Sequence, residues 1–341
     1  MAKPWQNEHG LSRRDFLRLS GAAASAAVFG ACEAAKESKP QELPKPDVRS
    51  PRSRTANVFV NGAGMPILVC VTGTDIQAML AAGLSSLGGL NKLIGPGQNV
   101  LIKPNCNASE PYPAVSSLQC IISLIGEAIK VTTGTVSVGD QGYESSTSVY
   151  KFTGLDPGVG NAGGTLLTLS SDYLVRRSIW PANKPDFRVY AEIYDAPVIL
   201  NACVLKRHHT AICSCALKNN VGAVAGPGAA FTRRYLHYES GDFMGDVAEI
   251  AGVVNPDLNI VDARSVLTRG GPSYQDGVVV DAHKLVLCGD IVATDAYCAG
   301  ILAAHDPQFS ADATEPTLSR AESLGMGTAD LSQVQIIEIT A

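Results

Sequence analysis

Short apolar runs alternate with longer helical patterns along this 341-residue chain, and this alternation constrains the fold more than any other feature. The runs at 100–102 and 136–138 are strand-forming, whereas residues 116–129 between them repeat apolar side chains at helical spacing. Strand, helix and strand at this pitch are typical of parallel sheets covered by helices. We therefore predict an α/β fold with a mostly parallel sheet, helices on both faces and Rossmann-like layering.

The same pattern extends over residues 57–341, which we predict to form a single domain. Further strands are predicted at 58–60, 66–72, 165–169, 258–261, 284–287 and 334–339, and helices at 75–90, 145–152, 245–254 and from Asp290 to about 304. A glycine-rich loop is predicted at 154–164. The net charge of −5 and the lack of a basic stripe with interleaved aromatic residues argue against a nucleic-acid partner.

The first 32 residues carry an export pattern. Ser12-Arg13-Arg14-Asp15-Phe16-Leu17-Arg18 precedes an apolar run of small residues, which resembles a twin-arginine signal. That run is too short to span a bilayer, since a spanning helix needs about 20 apolar residues. We therefore predict export by the twin-arginine machinery, and a location in the periplasm or on a membrane outside the cytoplasm.

The end of this signal has two interpretations. Gly30-Ala31-Cys32 resembles a lipoprotein box with Cys32 as the lipid-bearing residue, whereas Ala24-Ser25-Ala26 is a plausible simple cleavage site. Residues 33–56 contain four prolines and few large apolar side chains, so they predict a disordered tether. A tether favours the lipoprotein interpretation, in which a lipid on Cys32 makes the membrane a partner.

Polar residues follow most of the predicted central strands. The carboxyl ends of parallel strands meet at one edge of a sheet, where ligands bind. This edge is predicted to gather ligand-binding residues from separate parts of the chain: Lys103, Asn105, Asp140, Asn219, Gly222, Asp262 and Asp290.

The stretch 199–222 supplies the candidate catalytic residues Lys206, His208 and Lys218. Together with Lys103, the lysines would bind an anion, either a carboxylate or a phosphate. The alternative is that the lysines are structural and pair with the acidic residues at the other strand ends. His208 and His209 are candidate metal ligands or acid–base groups, and the alternative is a histidine that is hydrogen-bonded to a carboxylate.

The nine cysteines point to no specific cofactor. No run of cysteines has ferredoxin spacing, so no iron–sulfur cluster is predicted in this chain. Cys213 and Cys215 are the one close pair, and with His208 and His209 they are weighed as a nucleophilic Cys/His pair. The cofactor stays unknown from the sequence, with a metal ion as a candidate.

Several ordered motifs carry a family resemblance. They are KPN at 103–105, GD at 139–140, LKRHH at 205–209, LKNNVG at 217–222, VDA at 261–263, GGP at 270–272 and GD-x4-D at 289–295. Over about 98–302 the chain resembles the family called domain of unknown function 362. The resemblance implies that Lys103, Asn105, Lys206, His208, Lys218, Asn219 and Gly222 are motif residues, and it implies no particular reaction.

Together these features predict an exported protein with a lysine- and histidine-lined cleft for a small anionic ligand or a metal-bound cofactor. An enzyme, including a redox enzyme, is one hypothesis. The alternative is a non-catalytic binding or accessory subunit of a redox or metal-handling system outside the cytoplasm.

Overall fold

The computed structural model describes residues 48–53, 55–177, 184–225 and 233–341. The predicted signal at 1–32, both of its predicted ends and residues 33–47 of the predicted tether lie outside these described residues. Within the described ranges, no helix combines the length and apolar character that crossing a membrane requires.

The described residues form a main sheet of nine strands and a small sheet of three. The strands are β1 Val48–Arg49, β2 Ile67–Thr72, β3 Val100–Lys103, β4 Val136–Val138, β5 Thr165–Leu166, β6 Asp172–Val175, β7 Phe187–Tyr190, β8 Ile199–His208, β9 Ile212–Ser214, β10 Leu258–Thr268, β11 Val278–Cys288 and β12 Gln335–Thr340. The main sheet has the order β12-β2-β11-β10-β8-β3-β4-β5, with β9 paired to β8, and the small sheet has the order β1-β6-β7.

The main sheet is mostly parallel, as predicted. The pairs β12–β2, β10–β8, β8–β3, β3–β4 and β4–β5 are parallel, whereas β11 runs against both of its neighbours and β9 runs against β8. Apart from β11 and β9, the strands of the main sheet therefore end at the same edge. We call this the carboxyl edge.

Helices cover both faces of the main sheet. The described helices are α1 Ile76–Leu87, α2 Leu118–Ile129, α3 Ser146–Thr153, α4 Leu155–Asn161, α5 Ala191–Tyr194, α6 Ala216–Asn219, α7 Arg233–Tyr238, α8 Phe243–Val254, α9 Ile291–His305 and α10 Glu315–Ser323. Helices α1 to α4 pack on one face and α6 to α10 on the other. Leu200 and Ala202 of β8 face the first core, and Cys203 and Leu205 face the second, because side chains alternate along a strand.

Two local predictions differ from the structure. The predicted loop at 154–164 contains helix α4, and its cap Gly154 has a positive φ of 75° that separates α4 from α3. The predicted strand at 58–60 is reduced to an isolated bridge between Val60 and Pro66.

The folded part of the chain begins earlier than predicted. Strand β1 pairs with Leu174 and Val175, so residues 48 and 49 are part of the small sheet. Arg52 then forms an ion pair of 3.0 Å with Asp257 and donates hydrogen bonds to the carbonyl of Ala196. A disordered tether up to residue 56 is therefore wrong for 48–53, because a composition poor in apolar residues does not reveal that one arginine docks on distant carbonyls.

Candidate functional site

A cleft of about 450 Å³ opens at the carboxyl edge, beside the ends of β3, β4 and β8. Most of the predicted site residues line it. They are Asn105, Asp140, Lys206, His208, His209, Lys218, Asn219 and Gly222. Residues that lie more than 100 positions apart in the sequence therefore meet in one cleft at the strand ends.

Lys103 lies beneath the cleft and is completely buried. Its Nζ is 2.6 Å from Oδ1 of Asp140 and also donates a hydrogen bond of 2.6 Å to the carbonyl of Asn219. The other carboxylate oxygen of Asp140 accepts from the N–H of Cys106 at 2.8 Å. Lys103 thus matches the structural alternative, because it neutralises Asp140 and ties β3, β4 and α6 together.

Gly222 leaves room for this ion pair. A Cβ atom at this position would lie 1.8 Å from Oδ1 of Asp140 and 2.7 Å from Nζ of Lys103. Any side chain would therefore push the buried pair apart. The glycine of the LKNNVG motif is required by the packing of the cleft floor.

Lys206 is only 2% exposed although it lines the cleft. Its Nζ donates a hydrogen bond to the carbonyl of Ala114. Burial lowers the pKa of Lys206 to about 8, and the charge of Glu110 opposes that shift. Its ammonium group is therefore charged near neutral pH but loses its proton more readily than an exposed lysine.

His208 is a neutral hydrogen-bond donor. Its Nδ1 accepts from the backbone N–H groups of Thr210 and Ala211 at 3.1 and 3.0 Å, so the single ring proton must sit on Nε2. Burial lowers the pKa of His208 to about 2, and the positive charge of Lys218 adds to the shift. The imidazole therefore stays neutral and presents an N–H group.

This arrangement disfavours metal binding by His208. Nδ1 is already occupied by two N–H donors, and coordination through Nε2 would move the ring proton onto Nδ1, against those donors. His209 is exposed and stacks on His208 with 5.0 Å between the ring centroids. Within the described ranges, no group of three or more His, Cys, Asp or Glu side chains is placed to hold a metal ion.

Lys218 and Asn219 lie on α6, a single turn that follows the β8–β9 hairpin. Asp295 of α9 accepts from the N–H groups of Ala216 at 2.7 Å and Leu217 at 3.2 Å, so it fixes the start of this turn. Asp295 borders a small cavity of about 10 Å³ and is partly exposed. Burial raises the pKa of Asp295 to about 7, although these N–H groups act in the opposite direction.

Besides the buried Lys103, two predicted ligand-binding residues lie outside the cleft. Asp262 was expected at a strand end, but β10 continues to Thr268, so Asp262 is buried in mid-strand and forms an ion pair of 2.8 Å with Arg264. Asp290 was expected at the carboxyl edge, but β11 is antiparallel and places it at the opposite edge. There it caps α9 by accepting from Val292 and Ala293, both at 2.9 Å.

The comparison with known proteins agrees with these motifs. A family model described as domain of unknown function (DUF362) matches residues 100–300, which contain all of the motifs quoted above. The chain belongs to the DUF362 family. A thylakoid-associated protein of Synechocystis sp. is 27% identical over 262 residues, which cover 74% of this chain and 76% of the relative.

The cleft of this DUF362 protein contains residues that were not among the predicted site residues. They include Asn107, Gln141, Tyr143, Ser214, Arg234, His237 and Tyr238. Tyr143 and Tyr238 stand at its mouth and are 87% and 84% exposed. These residues come from loops, the end of the short strand β9 and the short helix α7, so no single periodic pattern signals them. Arg234 and His237 stand out only as basic residues.

The cysteines of the DUF362 domain are not activated nucleophiles. All eight cysteines from Cys70 onward are free thiols. Burial raises the pKa of Cys213 and of Cys215 well above the ordinary value. A low thiol pKa is what a cysteine nucleophile needs, so this geometry argues against a Cys/His pair.

Proposed function

We propose that this DUF362 protein binds a small organic anion in the cleft, through a carboxylate or phosphate group. The observation that carries the proposal is that Lys206, Lys218 and the neutral imidazole of His208 all line one cavity. Among the described lining residues Asp140 is the one carboxylate, and Lys103 already neutralises it. The cavity therefore offers an anion several donors and little repulsion.

The dimensions of the cleft support a small ligand. Small-molecule sites usually occupy about 300–1,000 Å³, and this cleft of about 450 Å³ lies in the lower part of that range. Arg234 lies on the same lining and adds a further cation. A metabolite-sized anion fits this combination of volume and charge.

The proposed enzymatic role is acid–base chemistry on the bound anion. Lys206 has a pKa of about 8, so its charged ammonium group suits a general acid that gives up a proton near neutral pH. The neutral imidazole of His208 would donate its Nε2–H to a carbonyl or developing oxyanion of the ligand. The thiols of Cys213 and Cys215 are held protonated, so neither is proposed as a redox group.

Thermal unfolding with added phosphate or small carboxylates tests the anion site. Ligand that binds only the folded state raises its melting temperature. The shift should be lost in Lys206→Met and Lys218→Met. It should be kept in Lys130→Met, a control directly after α2 whose side chain is 63% exposed. Equal shifts in all four proteins would remove the anion-site proposal.

A second candidate function is a non-catalytic binding subunit. The exposed rings of Tyr143 and Tyr238 at the mouth of the cleft favour it, since exposed tyrosines are enriched where proteins dock. Incubation of the purified protein with each stabilising anion distinguishes the two roles. A chemical change in the anion supports the enzyme, whereas an unchanged anion that still stabilises the fold supports the subunit.

The proposed location is outside the cytoplasm, with a lipid on Cys32 as the anchor. The twin-arginine pattern supports export, and the thylakoid association named for the Synechocystis relative supports a place at a membrane. Arg13→Lys combined with Arg14→Lys should block export, and Cys32→Ala should move the exported protein from the membrane to the soluble fraction. Membrane retention of the Cys32→Ala protein would count against lipidation, whereas a wild-type protein that is already in the soluble fraction would favour cleavage at Ala26.

A further inference from the structure

Four asparagine side chains form a continuous hydrogen-bonded chain from the cleft through the sheet. Nδ2 of Asn105 donates to Oδ1 of Asn219 at 3.0 Å, and Nδ2 of Asn219 donates to Oδ1 of Asn201 at 2.8 Å. Nδ2 of Asn201 donates to Oδ1 of Asn259 at 2.9 Å, and Nδ2 of Asn259 donates to the carbonyl of Cys288 at 3.1 Å. We refer to these four side chains as the amide chain.

The sheet register holds the amide chain in place. Lys103 of β3 lies opposite Asn201 of β8, Asn201 lies opposite Asn259 of β10, and Asn259 lies opposite Cys288 of β11. The two strand asparagines therefore sit in one row that crosses four strands. Both are completely buried, where a polar side chain persists only if it is hydrogen-bonded.

Backbone carbonyls fix the direction of three of the four amides, those of Asn201, Asn219 and Asn259. A carbonyl oxygen can only accept, so the atom of Asn259 that faces Cys288 must be the NH₂ group. Asn201 is fixed in the same way by the carbonyl of Ala216 at 3.0 Å, and Asn219 by the carbonyls of Lys103 and Pro104 at 3.3 Å. No amide can be turned around without placing two acceptors against each other.

Because the amides donate in one direction along the amide chain, one acceptor atom at its cleft end has no donor within the described ranges. Because Oδ1 of Asn219 needs a donor, the NH₂ group of Asn105 points to it, and Oδ1 of Asn105 is left as the free end of the chain. That oxygen is buried and has no hydrogen-bond partner among the described residues. A buried acceptor without a partner costs about 1–3 kcal/mol, so a ligand that supplies a donor gains affinity there.

The remaining contacts of Asn105 keep this oxygen in position. The backbone N–H of Asn105 donates to the hydroxyl of Ser116 at 2.8 Å, and its carbonyl accepts from the N–H of Ser116 at 2.9 Å. Aligned amides also polarise one another, which makes the terminal oxygen a stronger acceptor. The acceptor is therefore in place before a ligand binds.

We propose that Asn105 selects anions that carry a hydroxyl or amino group, which donates a hydrogen bond to Oδ1 of Asn105 while the anionic group meets Lys206 and Lys218. This inference rests on the proposed anion-binding function of the same cleft. The ligand class is then a hydroxylated or aminated small carboxylate or phosphate, rather than a simple aliphatic anion.

Calorimetric titration with matched ligand pairs tests this selection. The pairs are lactate with propionate, alanine with propionate, and glycerol 3-phosphate with propyl phosphate. The wild-type protein should bind the donor-bearing member of at least one pair about tenfold more tightly, which corresponds to about 1.4 kcal/mol. This comparison needs no substitution, so it stands even if a variant folds poorly.

Asn105→Ala should abolish the preference within that pair and leave the affinity for the simple anion within about twofold. Asn107→Ala is the matched control, because Asn107 also lines the cleft but its Oδ1 already accepts from the N–H of Tyr143 at 3.2 Å. The control should keep the preference. Equal binding within every pair, or a preference that survives Asn105→Ala, overturns the role of Asn105 and leaves the anion site standing. Absence of binding by all of these anions overturns the proposed function together with this inference.

Discussion

At the scale of single residues, burial shifts the pKa values of two side chains that line the cleft and so decides whether each is charged. Lys206 is 2% exposed and has a pKa of about 8, whereas His208 is 8% exposed and stays neutral. Both shifts have the same first cause, since burial penalises a cation. One residue therefore offers a charge that can be titrated, and the other a permanent neutral donor.

Anion affinity should fall as the pH rises through about 8. Below this value Lys206 is charged and attracts the ligand, and above it the ammonium group loses its proton. A carboxylate probe keeps its own charge in this range, so calorimetry between pH 6.5 and 9.5 should show a roughly tenfold loss of affinity (about 1.4 kcal/mol). Lys206→Met should bind weakly at every pH, and an unchanged slope in that variant would assign the titration to another group.

Gly222→Ala should destabilise the protein by about 2–4 kcal/mol, because its Cβ would collide with the buried Lys103–Asp140 pair. Gly126→Ala is the control, since Gly126 lies in α2 and its added Cβ would meet nothing within 4 Å. That change should stabilise the protein by about 0.5–1 kcal/mol. Urea unfolding measures both values, and a Gly222→Ala protein as stable as wild type would show that the cleft floor can yield.

At the scale of elements, the short turn α6 carries Lys218 and depends on α9 for its position. Asp295 accepts from two N–H groups at the start of α6, so a helix on the second core sets the orientation of residues in the cleft. Aspartate at a helix start is common, but a partly buried one with a pKa of about 7 is not. The stability of this element should therefore respond to pH.

The free energy of unfolding should decrease between about pH 4 and pH 7. In this window the unfolded chain has an ionised Asp295 while the folded protein still holds the proton, so the folded state binds more protons. Asp295→Asn keeps an acceptor for α6 and removes the titrating group. Over this pH range its free energy of unfolding should therefore fall less than that of the wild type, and the difference should be on the order of 2 kcal/mol. Asp312→Asn, at an exposed position, should follow the wild-type profile; an identical profile in Asp295→Asn would contradict the assignment.

The elements also show what sequence patterns can and cannot predict. Val136–Val138 was predicted with the bounds that the structure has, because a short apolar run between helices reads clearly. The antiparallel direction of β11 was not predicted, because an apolar run indicates that a strand is buried but not which way it runs in the sheet. The strands predicted at 258–261 and 284–287 were also too short to indicate an antiparallel pair. They extend to Thr268 and from Val278.

The site was predictable where it follows strand ends and unpredictable where it depends on distant partners. Lys103, Asp140 and Lys206 follow directly from that rule. The amide chain does not, because Asn105, Asn201, Asn219 and Asn259 share no spacing and meet only through the register of four strands. In the sequence, the amide chain is indicated only by the asparagines within the apolar runs of β8 and β10.

At the scale of the whole molecule, the segment 48–53 contacts parts of the chain that are distant in sequence. A chain that begins at Asn57 should be less stable than one that begins at Pro46 by about 3–5 kcal/mol, because it leaves Asp257 buried without Arg52. Arg52→Met in the longer chain should reproduce most of that loss. Arg49→Met should cost less than about 1 kcal/mol, because its ion pair with Asp195 is partly exposed. If urea unfolding gave the same free energy of unfolding for both chains, the folded domain would begin at residue 57, as the sequence predicts.

The position of β2 has a consequence for how the protein is made. This apolar strand is an early one in the chain, yet its neighbours β11 and β12 are the last two. Thr72 pairs with Lys284, which is 212 residues later (284 − 72), so at a rate of up to about 20 residues per second the ribosome needs roughly ten seconds or more to supply the first partner. During that interval β2 presents unpaired hydrogen-bonding groups that invite aggregation. The nascent chain should therefore need shielding there, and the main sheet becomes complete only when synthesis reaches its final strand.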